Sequence, residues 1–185
     1  MHIRKEMRIC YNVSMKVMLY MGTSINGYIA TKDGDSTWTS EEDLQGFREH
    51  SKEIGNCVMG KNTYESAVRD GIFPFPDVLN VIVSHKLIEN TWGNNVLITN
   101  KSPRDIIVLL EQKGFQSVFL IGGGQLNSSF VKEGLIDEIY IDVEPLVIGE
   151  GIQVFTPSDF EYELKLVDIK KLNEDTVQLH YQVLK

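Results

Sequence analysis

This chain predicts an α/β domain: a mostly parallel central sheet, helices on both faces and an antiparallel hairpin at the C-terminal edge. Three observations carry that expectation. Short apolar runs of strand character alternate with segments of helical pattern along most of the 185 residues. Two of the runs end in glycine directly before a helix start, at Gly60-Lys61 and at Gly122-Gly123-Gly124. The last two strands instead follow one another through Asn173-Glu174-Asp175, a hairpin signal.

Lys16–Met21 (Lys-Val-Met-Leu-Tyr-Met) reads as a mostly buried first strand. Gly22–Ala30 turns into a second, short extended piece, and Thr31–Thr39 is a polar loop with a turn at Asp33-Gly34. Trp38 stands at the end of that loop, where an aromatic either wedges into the core or meets a ligand. Ser40-Glu41-Glu42-Asp43 starts a helix, with Ser40 as N-cap and Asp43 as its capping partner. Leu44, Phe47 and Ile54 give this helix its apolar face. Cys57–Gly60 is a strand, and Lys61 opens a second helix with Asn62 or Thr63 as cap. Ile72–Pro76 is a rigid loop, Val78–Ser84 a strand leading into Ser84-His85-Lys86, and Val96–Ile98 another strand. Ser102-Pro103-Arg104-Asp105 joins a serine cap to proline at the first helical position, and Gly114 ends that helix. Val118–Ile121 is a buried strand, and the segment after the three glycines is a helix stopped at Glu133-Gly134. Glu138–Val143 is a strand, Pro145–Gly151 a loop, and Tyr162–Lys170 with Thr176–Leu184 the hairpin.

Length and composition suit one domain over residues 15–185, preceded by an extension over residues 1–14. The net charge of -8 and pI near 5.0 argue against a general nucleic-acid binder and leave room for a local basic pocket. No apolar run approaches the roughly 18 residues of a membrane span. Met1–Ser14 carries Arg4, Lys5 and Arg8 but lacks the apolar stretch of a secretory signal. Two cysteines, Cys10 and Cys57, are too few for a disulfide framework, which points to a reduced, cytoplasmic setting. No metal site is expected.

A strand, glycines and a helix in succession bring bare backbone N–H groups and a helix N-terminus against an anion, and glycine allows a close approach. A tight structural turn is the competing reading. The run is not GxGxxG, because Asn127 stands where the last glycine would be. Yet three such turns, Gly60–Thr63, Ser84–Lys86 and Gly122–Gln125, each follow a strand. With those strands parallel, all three share the rim where sheets of this class bind ligands. The arrangement points to a dinucleotide.

Taken together, these pieces resemble the dihydrofolate reductase superfamily from about Lys16 to Lys185. Ser24-Ile25-Asn26-Gly27-Tyr28-Ile29-Ala30 is similar to the segment entering that family's mobile active-site loop. Trp38 followed by Asp43 matches its loop tryptophan and active-site acid, and Leu44 with Phe47 its pocket-lining helix. Gly60-Lys61-Asn62-Thr63-Tyr64-Glu65-Ser66 looks like its phosphate-holding turn, and Ile121-Gly122-Gly123-Gly124 like its glycine turn. The finer resemblance is to the reductase domain of riboflavin biosynthesis, the RibD C-terminal domain, and its stand-alone relatives. Gly-Gly-Gly-Gln-Leu-Asn, Gly134-Leu135-Ile136-Asp137-Glu138 and Pro145-Leu146-Val147-Ile148-Gly149-Glu150-Gly151 carry it. The zinc deaminase half of the bifunctional enzyme is missing, and Asp142 stands where folate reductases have a substrate-side threonine.

The resemblance implies the family's three-layer fold, an NADPH-dependent reductase, a pyrimidine-, pteridine- or related heterocyclic substrate, and a homodimer. No nucleic-acid or membrane partner is expected. Ile29, Ala30, Gly60, Lys61, Asn62 and Thr63 are the expected cofactor contacts on one side, with Ser84, His85 and Lys86 around the adenosine end. Ile121, Gly122, Gly123, Gly124, Gln125 and Leu126 would receive the pyrophosphate. Lys61, His85 and Lys86 favour a 2′-phosphate; solvated surface charge is the other reading of the two lysines. Asp43 is the expected catalytic acid, and Met21, Trp38, Phe47 and Asp142 join it at the substrate; Asp142 equally suits a loop cap. Thr31–Trp38 would be a lid. The rival readings are a true folate reductase and a nucleotide-binding module on the same fold without chemistry.

Overall fold

Residues 15–185 are described by the computed structural model, so the expected extension over residues 1–14 lies outside the described residues. The main sheet is built from β1 (Lys16–Ser24), β3 (Asn56–Gly60), β4 (Leu79–Val83), β5 (Val96–Thr99), β6 (Ser117–Leu120), β7 (Glu138–Glu144), β9 (Leu164–Lys171) and β10 (Val177–Val183). A two-stranded ribbon pairs β2 (Tyr28–Thr31) with β8 (Gly151–Gln153). The helices are α1 (Glu41–Ile54), α2 (Lys61–Arg69), α3 (Pro103–Gln112) and α4 (Gly124–Lys132).

Strand order in the main sheet is β5-β4-β3-β6-β1-β7-β10-β9. The first six in that order run parallel, and β10 and β9 add the antiparallel hairpin at the edge. Alternation along the strands splits the core into two layers. Val17, Leu19, Val58, Val118 and Leu120 face Ile106, Ile107 and Leu110 of α3 and Phe130 of α4. Tyr20, Cys57, Met59, Phe119 and Ile121 face the other way, towards Phe47 of α1 and Tyr64 of α2. The expected parallel sheet, two helical layers and terminal hairpin are all present.

Helix boundaries follow cap chemistry. Ser40 and Ser102 cap α1 and α3, their side chains accepting from the N–H groups of Asp43 and Asp105. The second helix differs from expectation. Its N-cap is Gly60, not Asn62 or Thr63, and no side chain caps it, because β3 runs straight into the helix. The β2–β8 ribbon was also missed, since a three-residue strand is too short to show a period. No helix among the described residues is long and apolar enough to cross a membrane.

Candidate active site

Six parallel strands deliver their carboxyl ends to one rim, and two helices start there without side-chain caps. The N-caps of α2 and α4 are Gly60 and Gly123, and each helix is nine residues long. Strands β3 and β6 are neighbours, so the two uncapped starts lie side by side. They are knitted together: the Gly60 N–H donates to the Gly122 carbonyl at 2.7 Å. Gly122 has φ of 93° and is joined to Gly123 by a cis peptide. A Cβ on Gly123 would lie 3.4 Å from Thr63 Oγ1 and 3.9 Å from Ile29 Cδ1, and one on Gly122 would lie 3.1 Å from Met21 Sδ. Five of the expected cofactor residues, Gly60, Gly122, Gly123, Thr63 and Ile29, therefore meet at one spot with Met21.

The remaining expected cofactor residues fall around that spot. Gln125 is exposed on the first turn of α4, while Ile121, Gly124, Leu126 and Ala30 are buried beneath the rim. Asn62 is exposed on the first turn of α2, and Lys61 beside it is paired with Glu65 one turn along. Ser84 follows β4 and closes a small loop, its hydroxyl donating to the Lys86 carbonyl at 2.9 Å and accepting from the Lys86 N–H at 3.0 Å. His85 and Lys86 are exposed on that loop.

One strand further along the sheet, beyond β6, β1 carries the acid end of the site. Asp43, in the first turn of α1, is 5% exposed, and Asp142 on β7 is fully buried. Gly22 on β1 pairs with Asp142 across the ladder. A Cβ on Gly22 would come within 2.8 Å of Asp43 Oδ2, so the bare strand makes room for that carboxyl. Asp142 is two residues inside its strand and caps no loop. Its Oδ2 accepts from the Tyr20 hydroxyl at 2.5 Å and its Oδ1 from the Gln178 amide at 2.8 Å. Asp43 Oδ1 is buried with no hydrogen-bond partner. Burial, then hydrogen bonding to and repulsion by Asp142, then the charge of Glu144 push the Asp43 carboxyl up to about 8. Burial also raises Asp142, against hydrogen bonds from Tyr20, Asp43 and Gln178 that lower it. Tyr20 is raised well above the usual phenol range by burial and by both carboxyls.

Glu144 anchors the start of α1. Its Oε1 accepts from the backbone N–H and hydroxyl of Ser40 at 2.9 and 2.7 Å, and its Oε2 from the Thr176 hydroxyl at 2.9 Å. Phe47 lies edge-on to Phe75 at 4.8 Å, forming an aromatic wall with Phe119. Trp38 is half-buried, its indole donates to the Asp35 carbonyl at 3.1 Å, and it lines a cleft of about 560 Å³ beside Glu42 and Glu144.

Sequence reasoning missed Tyr20, Gln178, Glu144 and two glycines. The second is Gly46, where a Cβ would lie 2.6 Å from the Tyr20 hydroxyl oxygen. An alanine there must displace that hydroxyl from Asp142 or lift α1 from the sheet. Gly46→Ala is expected to cost about 1–3 kcal/mol by overpacking, read as a lowered melting temperature. An unchanged melting temperature would mean that α1 is not seated on Tyr20 as described.

A mixed sheet of this order, uncapped glycine starts at the parallel rim and a buried acid on the first helix define a dihydrofolate reductase-like α/β domain. The chain belongs to the RibD C-terminal domain family, matched over residues 15–178. It is 31% identical over 170 residues to YwjB, an uncharacterized protein of Bacillus subtilis (strain 168), covering 90% of this chain and 97% of that one. It is 25% identical over 170 residues to the 2,5-diamino-6-ribosylamino-4(3H)-pyrimidinone 5′-phosphate reductase of Methanothermobacter thermautotrophicus, covering 72% of this chain and 79% of that one. Among solved structures, a Shewanella sp. PV-4 protein placed in riboflavin biosynthesis superposes with a TM-score of 0.80 at 26% identity, over 92% of this chain and 100% of that one.

Proposed function

We propose that this chain is an NADPH-dependent reductase of a small heterocycle of the pyrimidine or pteridine kind. The carrying observation is the pair of side-chain-uncapped helix starts, α2 and α4, on neighbouring parallel strands. Each start leaves backbone N–H groups without a side-chain partner, and the positive end of the helix favours an anion there. Gly123 leaves open a place that a Cβ would fill against Thr63 and Ile29, which suits close approach of a dinucleotide backbone. The residues present therefore fit the cofactor that the family resemblance implies.

When bound, a reduced nicotinamide supplies hydride. The chain supplies position and a proton. Gly122 and Gly123, with Thr63 and Ile29, shape the floor beside Met21. Phe47 and its aromatic neighbours exclude water on the α1 side. Asp43 holds its proton on a carboxyl beside Gly22, near the nitrogen or oxygen that gains charge when a C=N or C=O carbon is reduced. General acid help of this kind is typically worth about 10²–10⁴ in rate. Lys61, already paired with Glu65, would have to exchange partners to meet a phosphate. The name of the Methanothermobacter thermautotrophicus reductase supports a pyrimidine over a pterin, and Asp142 in place of the folate reductases' threonine argues against a pterin.

Thermal melts with NADPH and NADH, side by side, test this. At about 100 times its Kd, NADPH should add about 2.7 kcal/mol, or roughly 5–10 °C for a chain of this size. A smaller shift is expected with NADH, which lacks the 2′-phosphate that Lys61 and Lys86 would meet. No shift with either cofactor would sink the reductase reading.

A further inference from the structure

Tyr20 and Gln178 stand behind Asp142 and are not among the residues that form the glycine rim. Their side chains nevertheless decide what the carboxyl pair can be. A phenol has one proton to give, and here it points at Asp142 Oδ2, 2.5 Å away. An amide NH₂ group can only donate, and it points at Asp142 Oδ1, 2.8 Å away. Both oxygens of Asp142 are thus addressed by donors, the pattern of an ionised carboxylate. A proton on Asp142 would have to displace one of them. On Asp43 the situation is reversed. Tyr20 donates to its backbone carbonyl, at 3.1 Å, and Asp43 Oδ1 has no partner. Two buried carboxyls that hydrogen-bond each other do not both ionise readily, so one proton stays in the pair.

We propose that Tyr20 and Gln178 are positioning residues that hold Asp142 as the ionised member of the pair and so leave the proton on Asp43. The use of that proton in turnover rests on the reductase reading; its location is a property of the unliganded protein. The groups around the pair agree with it. From β7, Glu144 repels both carboxylates, its own oxygens held by Ser40 and Thr176. From α1, His50 faces Asp142, but its burial disfavours the charged imidazole. From β10, His180 lies one ladder step beyond Gln178 and stacks on Tyr140 at 4.0 Å rather than bonding to the pair. No cation therefore competes with Tyr20 and Gln178 for Asp142 among the groups facing it.

Carboxyl-carbon NMR titration of aspartate-labelled protein tests the proposal, with Asp43→Asn and Asp142→Asn giving the assignments. Wild-type protein should show Asp142 ionised and Asp43 protonated at neutral pH. Tyr20→Phe and Gln178→Met each remove one donor. In either variant the midpoint of Asp43 should fall and that of Asp142 rise, by about one pH unit or more. A merely structural role would lower stability without exchanging the midpoints. If Asp142 is the higher-titrating carboxyl in the wild type, or the midpoints stay put in every folded variant, the proposal is overturned. Should one variant fail to fold, the other and the wild-type assignment still decide. NADPH affinity measured on the same samples separates the two readings. Retained affinity without exchange removes the positioning role alone, and exchange without affinity removes the reductase reading alone.

Discussion

Stability should fall as the pH rises from about 4 to about 8, and Asp43→Asn should remove most of that slope. The cause is the folded-state carboxyl of Asp43, pushed up to about 8 from an ordinary value of 3.8 by burial and by Asp142. Below about 4 the group is protonated whether the chain is folded or not, and its contribution is fully present. Between the two values the unfolded chain has released the proton and the folded chain still holds it. The folded state then binds more protons, so each step up in pH favours unfolding. Above about 8 both states are ionised, and the loss levels off with a charged carboxyl buried beside Asp142. Asparagine keeps the shape and has no proton to release. The variant should therefore melt higher than wild type at pH 8 and show a flatter pH dependence, read from melting curves across that window. Turnover should move the other way, falling by about 10²–10⁴ with loss of the acid. A wild-type curve that rises through this window would refute the burial argument.

Phe119→Ala should be the most damaging single truncation near the site, at about 3–5 kcal/mol. Phe119 is fully buried in β6 and lies 5.8 Å from the Tyr20 ring, 5.7 Å from Phe47 and 6.1 Å from His50, centroid to centroid. It is the common wall behind the tyrosine that addresses Asp142 and the phenylalanine that lines the α1 side. Removing it leaves a cavity under both, and the loss should lower the melting temperature by on the order of 10 °C. Denaturant melts at fixed pH measure this directly. A loss below about 1 kcal/mol would mean that α1 can settle onto the sheet without that ring.

The parts of the fold that were legible in the sequence are those specified by neighbouring residues. Ser40 with Asp43, Ser102 with Pro103, and the glycine stops at Gly114 and Gly134 write helix ends within a few positions of each other, so α1, α3 and α4 were read close to their true bounds. The glycine rim was legible for the same reason, since strand, glycine and helix are adjacent in the chain. Asp43 was legible as a helix-capping residue, and its role as an acid came from the family resemblance of Trp38 and Asp43 rather than from the local pattern. The partners that give it that role were not legible. Tyr20 and Asp142 are 122 residues apart, and Ser40 and Glu144 are 104 apart. Nothing in the local pattern of Tyr20 distinguishes it from an ordinary core aromatic. Gly22 and Gly46 look like dispensable glycines until the opposing atoms are known; their neighbours, not their backbone angles, demand them. Asp142 reads as a charged residue near a strand end, and only the register with Gly22 and Gln178 reveals that it is enclosed.

Six positions, 20, 22, 43, 46, 142 and 178, share one small volume around the carboxyl pair, and this bears on how such a site can change over descent. Altering Gln178 or Tyr20 alone strands an oxygen of Asp142. A methyl group at Gly22 presses on Asp43, and one at Gly46 presses on the Tyr20 hydroxyl. Replacing Asp142 strands the Tyr20 and Gln178 donors, and replacing Asp43 removes the group that holds the pair's proton. Steps at Tyr20, Gln178 and Asp142 strand a buried polar group and steps at the two glycines overpack one, so substitutions among these neighbours should not be additive. The six positions therefore constrain one another, and a change of the pair that keeps the fold should come with compensating changes among its neighbours rather than alone.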